Sequence, residues 1–226
     1  MFGAAQVADE NMAQNEPSDA PIVCLDPGHP SEVNDGMTVQ NGVTENHINW
    51  LIAQELRDLL EADGIRVVMT KSSEDELVTN EERARIANES GAVLFFRIHC
   101  DNGPSGAHGM TFYYPDRQGI WDGHTGPSTD LLPECHDAAC AIHDPAIDEL
   151  DGLLHDRGVR TDNETYLGSR QGGALRGSIL SEIPVVLVEV CFLSDPDDAS
   201  VVKDASTRSL VVQALSSGIQ EYVETK

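Results

Sequence analysis

Ala92-Val93-Leu94-Phe95-Phe96-Arg97-Ile98, followed by His99, carries a single charge and none of the apolar/polar alternation of a half-exposed strand. A run of this kind is a strand covered on both faces, which places it in a sheet with helices above and below. The segments around it agree. Pro21–Leu25 reads as an earlier strand, stopped by the turn chemistry of Asp26-Pro27-Gly28. Glu45–Ala62 reads as a helix, because Ile48, Leu51, Ile52, Leu56, Leu59 and Leu60 recur at three- and four-residue spacings, and Asp63-Gly64 ends it. Ile65–Thr70 and Met110–Tyr114 read as strands and Thr79–Asn88 as a short helix. Ile183–Phe192 is the last strand, and Ser206–Val223 closes the chain as a helix with Leu210, Val211, Ala214, Leu215, Ile219 and Tyr222 inward. Strands alternating with helices give the α/β class.

Between these elements, Pro115–Pro133 has no period and reads as a surface loop, with a helix resuming between Cys135 and Leu154 that Pro145 either splits or starts. Residues 115–156 are therefore treated as an insertion in one domain spanning 21–226, preceded by a leader over 1–20 that has no apolar core of a secretory signal. The 226 residues suffice for one sizeable core. Fourteen Lys and Arg against 39 Asp and Glu give a formal charge of −25, with no basic cluster, so nucleic acid and anionic membranes are poor partners. No apolar run is long enough to span a bilayer. Of the five cysteines, Cys24, Cys100 and Cys191 sit in apolar runs as small core residues, and a local bridge between Cys135 and Cys140 is left open.

In open α/β sheets the reactive groups collect where strands end. His29 follows the first strand, His99 ends the buried one, Glu189 interrupts the apolar run Val185–Val190, and Glu45 opens the long helix. Two imidazoles and a carboxylate give zinc three ligands and leave a fourth position for water, and His29, Glu45 and His99 make that set. Glu189 is the more telling residue. A carboxylate between valines is costly to desolvate unless something compensates it, the alternative being an edge strand that turns it to solvent.

Ile22-Val23-Cys24-Leu25-Asp26-Pro27-Gly28-His29 resembles the opening motif of the zinc-dependent N-acetylmuramoyl-L-alanine amidases of the amidase-3 type. Glu45, Arg83-Ala84-Arg85-Ile86-Ala87-Asn88, Arg97-Ile98-His99-Cys100-Asp101 and Ile183–Asp195 resemble further family blocks, in the family's order. The chain departs from the pattern at Pro30-Ser31, where the family has Gly-Gly, and at Arg97, where it often has Ser. The resemblance implies a twisted, mostly parallel sheet flanked by helices on both faces. It implies an extracytoplasmic, secreted or periplasmic cell-wall hydrolase, with peptidoglycan as substrate and Zn2+ as cofactor. His29, Glu45 and His99 would hold the ion, and Glu189 would be the catalytic base. Another zinc amidohydrolase or peptidase on the same frame, and a non-catalytic cell-wall binding protein, are the alternatives. Arg97 and Arg176 are candidates to pair with stem-peptide carboxylates, a salt bridge to one of the many acids being the plainer role. The other histidines, His143 among them, read as surface or loop residues.

Overall fold

A computed structural model of the chain describes residues 20–226. All of the leader but Ala20 lies outside the described residues. The eight strands are β1 (Ile22–Pro27), β2 (Arg66–Met69), β3 (Leu94–Asp101), β4 (Met110–Tyr114), β5 (Gly119–Trp121), β6 (His124–Gly126), β7 (Asp156–Thr161) and β8 (Val185–Phe192). The helices are α1 (Glu45–Ala62), α2 (Asn80–Glu89), α3 (Leu131–Leu150), α4 (Tyr166–Arg170), α5 (Arg176–Ile179), α6 (Pro196–Lys203) and α7 (Ala205–Glu224). Six strands form one sheet in the order β2-β1-β3-β8-β4-β7, and β5 and β6 form a separate hairpin. Every neighbouring pair in the large sheet is parallel except β4 with β8. The mostly parallel α/β sheet is thus present, with one antiparallel junction.

Side-chain alternation splits the core in two. Val23, Leu25, Phe96, Ile98, Val186 and Val188 pack with residues of α1, α3 and α7 on one face, while Cys24, Phe95 and Val185 meet Ala84 and Ala87 of α2 on the other. In α1, Ile48, Ile52, Leu56 and Leu60 are all buried, which stabilises the domain by roughly 1.5–3 kcal/mol per side chain. The Thr44 hydroxyl caps this helix by accepting from the His47 N–H at 3.3 Å, and Gly64, at φ +82°, leads the chain out of it.

Several sequence expectations are corrected. Asp26 and Pro27 do not stop β1; they continue it, paired with Arg97 and Ile98 of β3. The stretch Pro115–Pro133 holds the β5–β6 hairpin, turned by Asp122 and Gly123, both with positive φ. Pro145 neither splits nor starts α3, which runs unbroken around it, and Ala138, Ile142 and Ala146 of this helix belong to the main core. Leu210 points outward, half exposed. Cys135 and Cys140 are free thiols on α3, Cys135 buried beneath β8, so the bridge between them is not formed.

Candidate active site

The strand order brings the C-terminal ends of β1, β3 and β8 side by side, and the chain places a polar residue at each. β1 is followed directly by Gly28-His29, β3 carries His99, and β8 carries Glu189 in direct register with His99. α1 starts close by, so Glu45 sits in its first turn. The four residues line one cleft of about 570 Å³, whose far wall includes Tyr166, Leu167 and Arg176.

His29, Glu45 and His99 converge, each offering a ligand atom within 4.8 Å of the others'. His29 Nε2 lies 3.1 Å from Glu45 Oε2, and His99 Nδ1 lies 3.0 Å from Glu45 Oε1. The two rings meet edge to face with centroids 5.1 Å apart. Glu45 Oε1 also accepts from the Cys100 N–H and from Asn49 Nδ2, both at 3.3 Å. Behind the first imidazole, His29 Nδ1 lies 3.1 Å from the Asn34 carbonyl oxygen, which assigns the proton to Nδ1 and turns Nε2 into the cluster. Gly28 is required by close approach: a Cβ there would stand 2.3 Å from Cε1 of His99.

Burial raises the proton affinity of Glu45, but the hydrogen bonds and charges of the two imidazoles outweigh it and hold the carboxyl well below the usual carboxylate range. Burial also pulls His99 down, while for His29 the Glu45 carboxylate more than offsets burial and moves it up. Glu189 goes the other way. Burial pushes its carboxyl well up, the acids Asp101 and Glu45 add to this, and Arg97 opposes it. Glu189 Oε2 is enclosed and has no hydrogen-bond partner, as does His99 Nε2. The edge-strand alternative for Glu189 is excluded, since β8 is flanked by β3 and β4.

A second polar cluster lies under the first. Asp26, fully buried, accepts from Thr70 Oγ1 at 2.6 Å, from Arg83 Nη1, and from Arg97 Nε at 2.8 Å. Burial opposes its charge, and the two guanidiniums overcome that and keep it ionised. Arg83 also donates to the carbonyls of Val78, Pro27 and Pro30 at 2.9, 2.7 and 2.9 Å, stapling the turn that carries His29. Lys71, lowered to about 8 chiefly by burial, donates to the His29 carbonyl and to Asn46 Oδ1.

The amidase-3 family, described as N-acetylmuramoyl-L-alanine amidase, matches residues 23–221. The chain belongs to that family. It is 28% identical to the N-acetylmuramoyl-L-alanine amidase AmiC of Neisseria meningitidis over 91% of this chain and 53% of AmiC. It is 27% identical to AmiA of Escherichia coli over 89% of this chain and 75% of AmiA. It therefore spans little more than half of the Neisseria protein. The catalytic domain of CwlV from Bacillus (Paenibacillus) polymyxa superposes with a TM-score of 0.71 at 24% identity, covering 91% of this chain and 99% of that domain. An N-acetylmuramoyl-L-alanine amidase from Clostridium difficile 630 superposes with a TM-score of 0.71 at 21% identity, covering 92% and 100%. These two likenesses establish the amidase fold.

Within that fold the structure brings together all four residues singled out in the sequence. It separates the two arginines. Arg97 is buried, committed to Asp26 and, through Nη2, to Asn80 Oδ1 at 2.9 Å, so its salt-bridge role holds. Arg176 stands on the cleft wall and pairs with Glu32. The supporting roles of Asp26, Thr70 and Lys71 escaped the sequence reading, which took Asp26 only as a turn former. The available signal was Asp26 itself, an acid directly after a buried strand with Arg83 and Arg97 downstream. His143 is also corrected: its side chain is only 12% exposed, held between Asp144 and Asp156.

Proposed function

We propose that the chain hydrolyses the amide between N-acetylmuramic acid and L-alanine in peptidoglycan, using one zinc ion held by His29, Glu45 and His99, with Glu189 as general base. The convergence of two imidazoles on one carboxylate, beside a partnerless carboxylate on the next strand, carries this reading. The donors suit zinc: two nitrogens and an oxygen, with His29 oriented from behind by the Asn34 carbonyl. When bound, zinc would polarise the scissile carbonyl and make water acidic enough to ionise near neutral pH.

The protein's own part follows from its geometry. His29, Glu45 and His99 keep their donor atoms aimed at one point, because Gly28 lets the His99 ring close in and Arg83 fixes the preceding turn. Glu189, in register with His99, takes a proton from the attacking water and returns it to the leaving amine. The cleft walls bind the peptide and exclude bulk water around that exchange. Because the substrate is the cell wall, the working compartment is extracytoplasmic. Among the described residues no helix is long and apolar enough to cross a membrane.

Incubation of the zinc-loaded protein with purified peptidoglycan tests the reading. The expected products are glycan free of peptide and stem peptides beginning with L-alanine, with one zinc per chain by elemental analysis. A cut inside the stem peptide identifies a peptidase instead. Binding without cleavage identifies a cell-wall binding protein.

A further inference from the structure

The cleft is lined by three arginines, Arg83, Arg97 and Arg176, and by the acids Glu45, Asp101, Glu164 and Glu189. Arg83 is committed to buried Asp26 and to backbone carbonyls, while Arg97, only 4% exposed, is held by Asp26 and Asn80 with its Nη1 packed against Gly177. Arg176 is the least buried of the three and is not tied to Asp26. The Arg176 Nη1 pairs with Glu32, while Nη2 has no protein partner among the described residues and Nε is buried without one. The guanidinium lies over the Trp121 ring, 4.4 Å from its centroid, so its plane is fixed before any ligand arrives.

The pair with Glu32 is easy to exchange. Its side chains are 17% and 30% exposed, the regime in which an ion pair contributes about 0–1 kcal/mol. Glu32 would not be stranded by the loss, since Oε2 accepts from the Asn80 N–H at 3.0 Å and Oε1 from Asn80 Nδ2 at 3.2 Å. On a chain of formal charge −25, a peptide bearing carboxylates needs a local cation to enter this cleft.

We propose that Arg176, braced by Trp121, reads a carboxylate of the bound stem peptide and makes the chain prefer peptides with a free carboxylate near the scissile amide over their carboxamide forms. The assignment rests on the amidase reading above. Arg176 acts on specificity and leaves the bond-breaking groups alone, so its removal raises KM for the carboxylate substrate and spares kcat.

The test uses the zinc-loaded protein with N-acetylmuramoyl-L-alanyl-γ-D-glutamyl-L-lysine, whose glutamyl α-carboxylate is free, and its D-isoglutaminyl counterpart, in which that group is a carboxamide. The wild type is expected to favour the carboxylate in kcat/KM by about tenfold or more, as a charge-assisted fork allows. Arg176→Gln should lose that preference through KM, with the carboxamide changed less than about threefold, and Arg176→Lys should restore part of it. Glu32→Gln, which frees the guanidinium, should lower KM for the carboxylate, whereas a merely structural ion pair would make the two variants fail alike. Equal handling of both compounds by the wild type, or an equal loss on both in Arg176→Gln, overturns the proposal. If neither compound is cleaved, the amidase reading fails, and calorimetric binding of the same two compounds decides the subsite separately. A carboxylate preference abolished in Arg176→Gln upholds it, and its absence overturns it.

Discussion

Two buried polar clusters share one edge of the sheet, and they differ in whether their needs are met. Around Asp26, each carboxylate oxygen has a donor, and the two arginines also donate to backbone carbonyls and to Asn80. Around Glu45, a few ångströms of strand further on, His99 Nε2 and Glu189 Oε2 are enclosed without partners. A satisfied buried network holds a fold in one arrangement, whereas an unsatisfied one costs stability and is retained for chemistry. The contrast sets the Asp26 cluster, as scaffold, against the cluster to which the proposed function assigns the chemistry.

Substitutions should therefore divide cleanly between the two clusters. On the proposed zinc reading, the largest effect belongs to His29→Ala and His99→Ala, which should lose zinc together with activity, since the two proposed ligands left in each cannot hold the ion against water. Glu189→Gln should keep its zinc and lose about a hundred- to ten-thousand-fold in kcat, the usual contribution of a positioned base. Elemental analysis beside a peptidoglycan assay distinguishes the two losses, and a Glu189→Gln variant of full activity would remove the base assignment.

Asp26→Ala should instead unfold more easily, by about 3–5 kcal/mol in urea titration, because it leaves two guanidiniums buried and unpaired. The same cluster should weaken in acid. Asp26 titrates below its unfolded value, so its contribution is complete above about pH 4 and declines as pH falls through the native value. If Asp26→Ala proved as stable as the wild type, the division between the clusters would fail.

The smallest effect lies outside both. Burial lowers His143, but Asp156 and Asp144 outweigh it and raise its pKa above 6.5, the unfolded value. Its stabilisation is therefore complete below about pH 6.5 and fades as pH rises through the native value. Both carboxylates are exposed, at 44% and 79%, so the contribution is at most about 1 kcal/mol. Melting curves of His143→Gln should diverge from wild type at pH 6 and converge at pH 9.

What could be read from the sequence follows from what signals itself locally. α1 runs over Glu45–Ala62 as its spacing demands, because a helix with one apolar face needs nothing beyond itself to be recognised. β7 went unread because Asp156-Arg157-Gly158-Val159-Arg160-Thr161 is a polar sheet edge, paired only with β4 and lacking alternation. The β5–β6 hairpin did carry a signal, Asp122-Gly123, a dipeptide suited to a two-residue turn with both φ values positive. The four residues of the centre were legible one at a time as polar ends of apolar runs. That they meet is a property of strand order, which places β8 beside β3 across more than eighty residues of intervening chain and which no local pattern encodes.

Arg83 has a consequence for the order of events in maturation. By pinning Val78, Pro27 and Pro30 to Asp26, it builds the turn beneath His29 from polypeptide alone. The corner that would coordinate the proposed ion is thus assembled by folding alone. On the proposed metal reading, folding and metal capture become separable stages, and a chelator removes the ion without unfolding the chain.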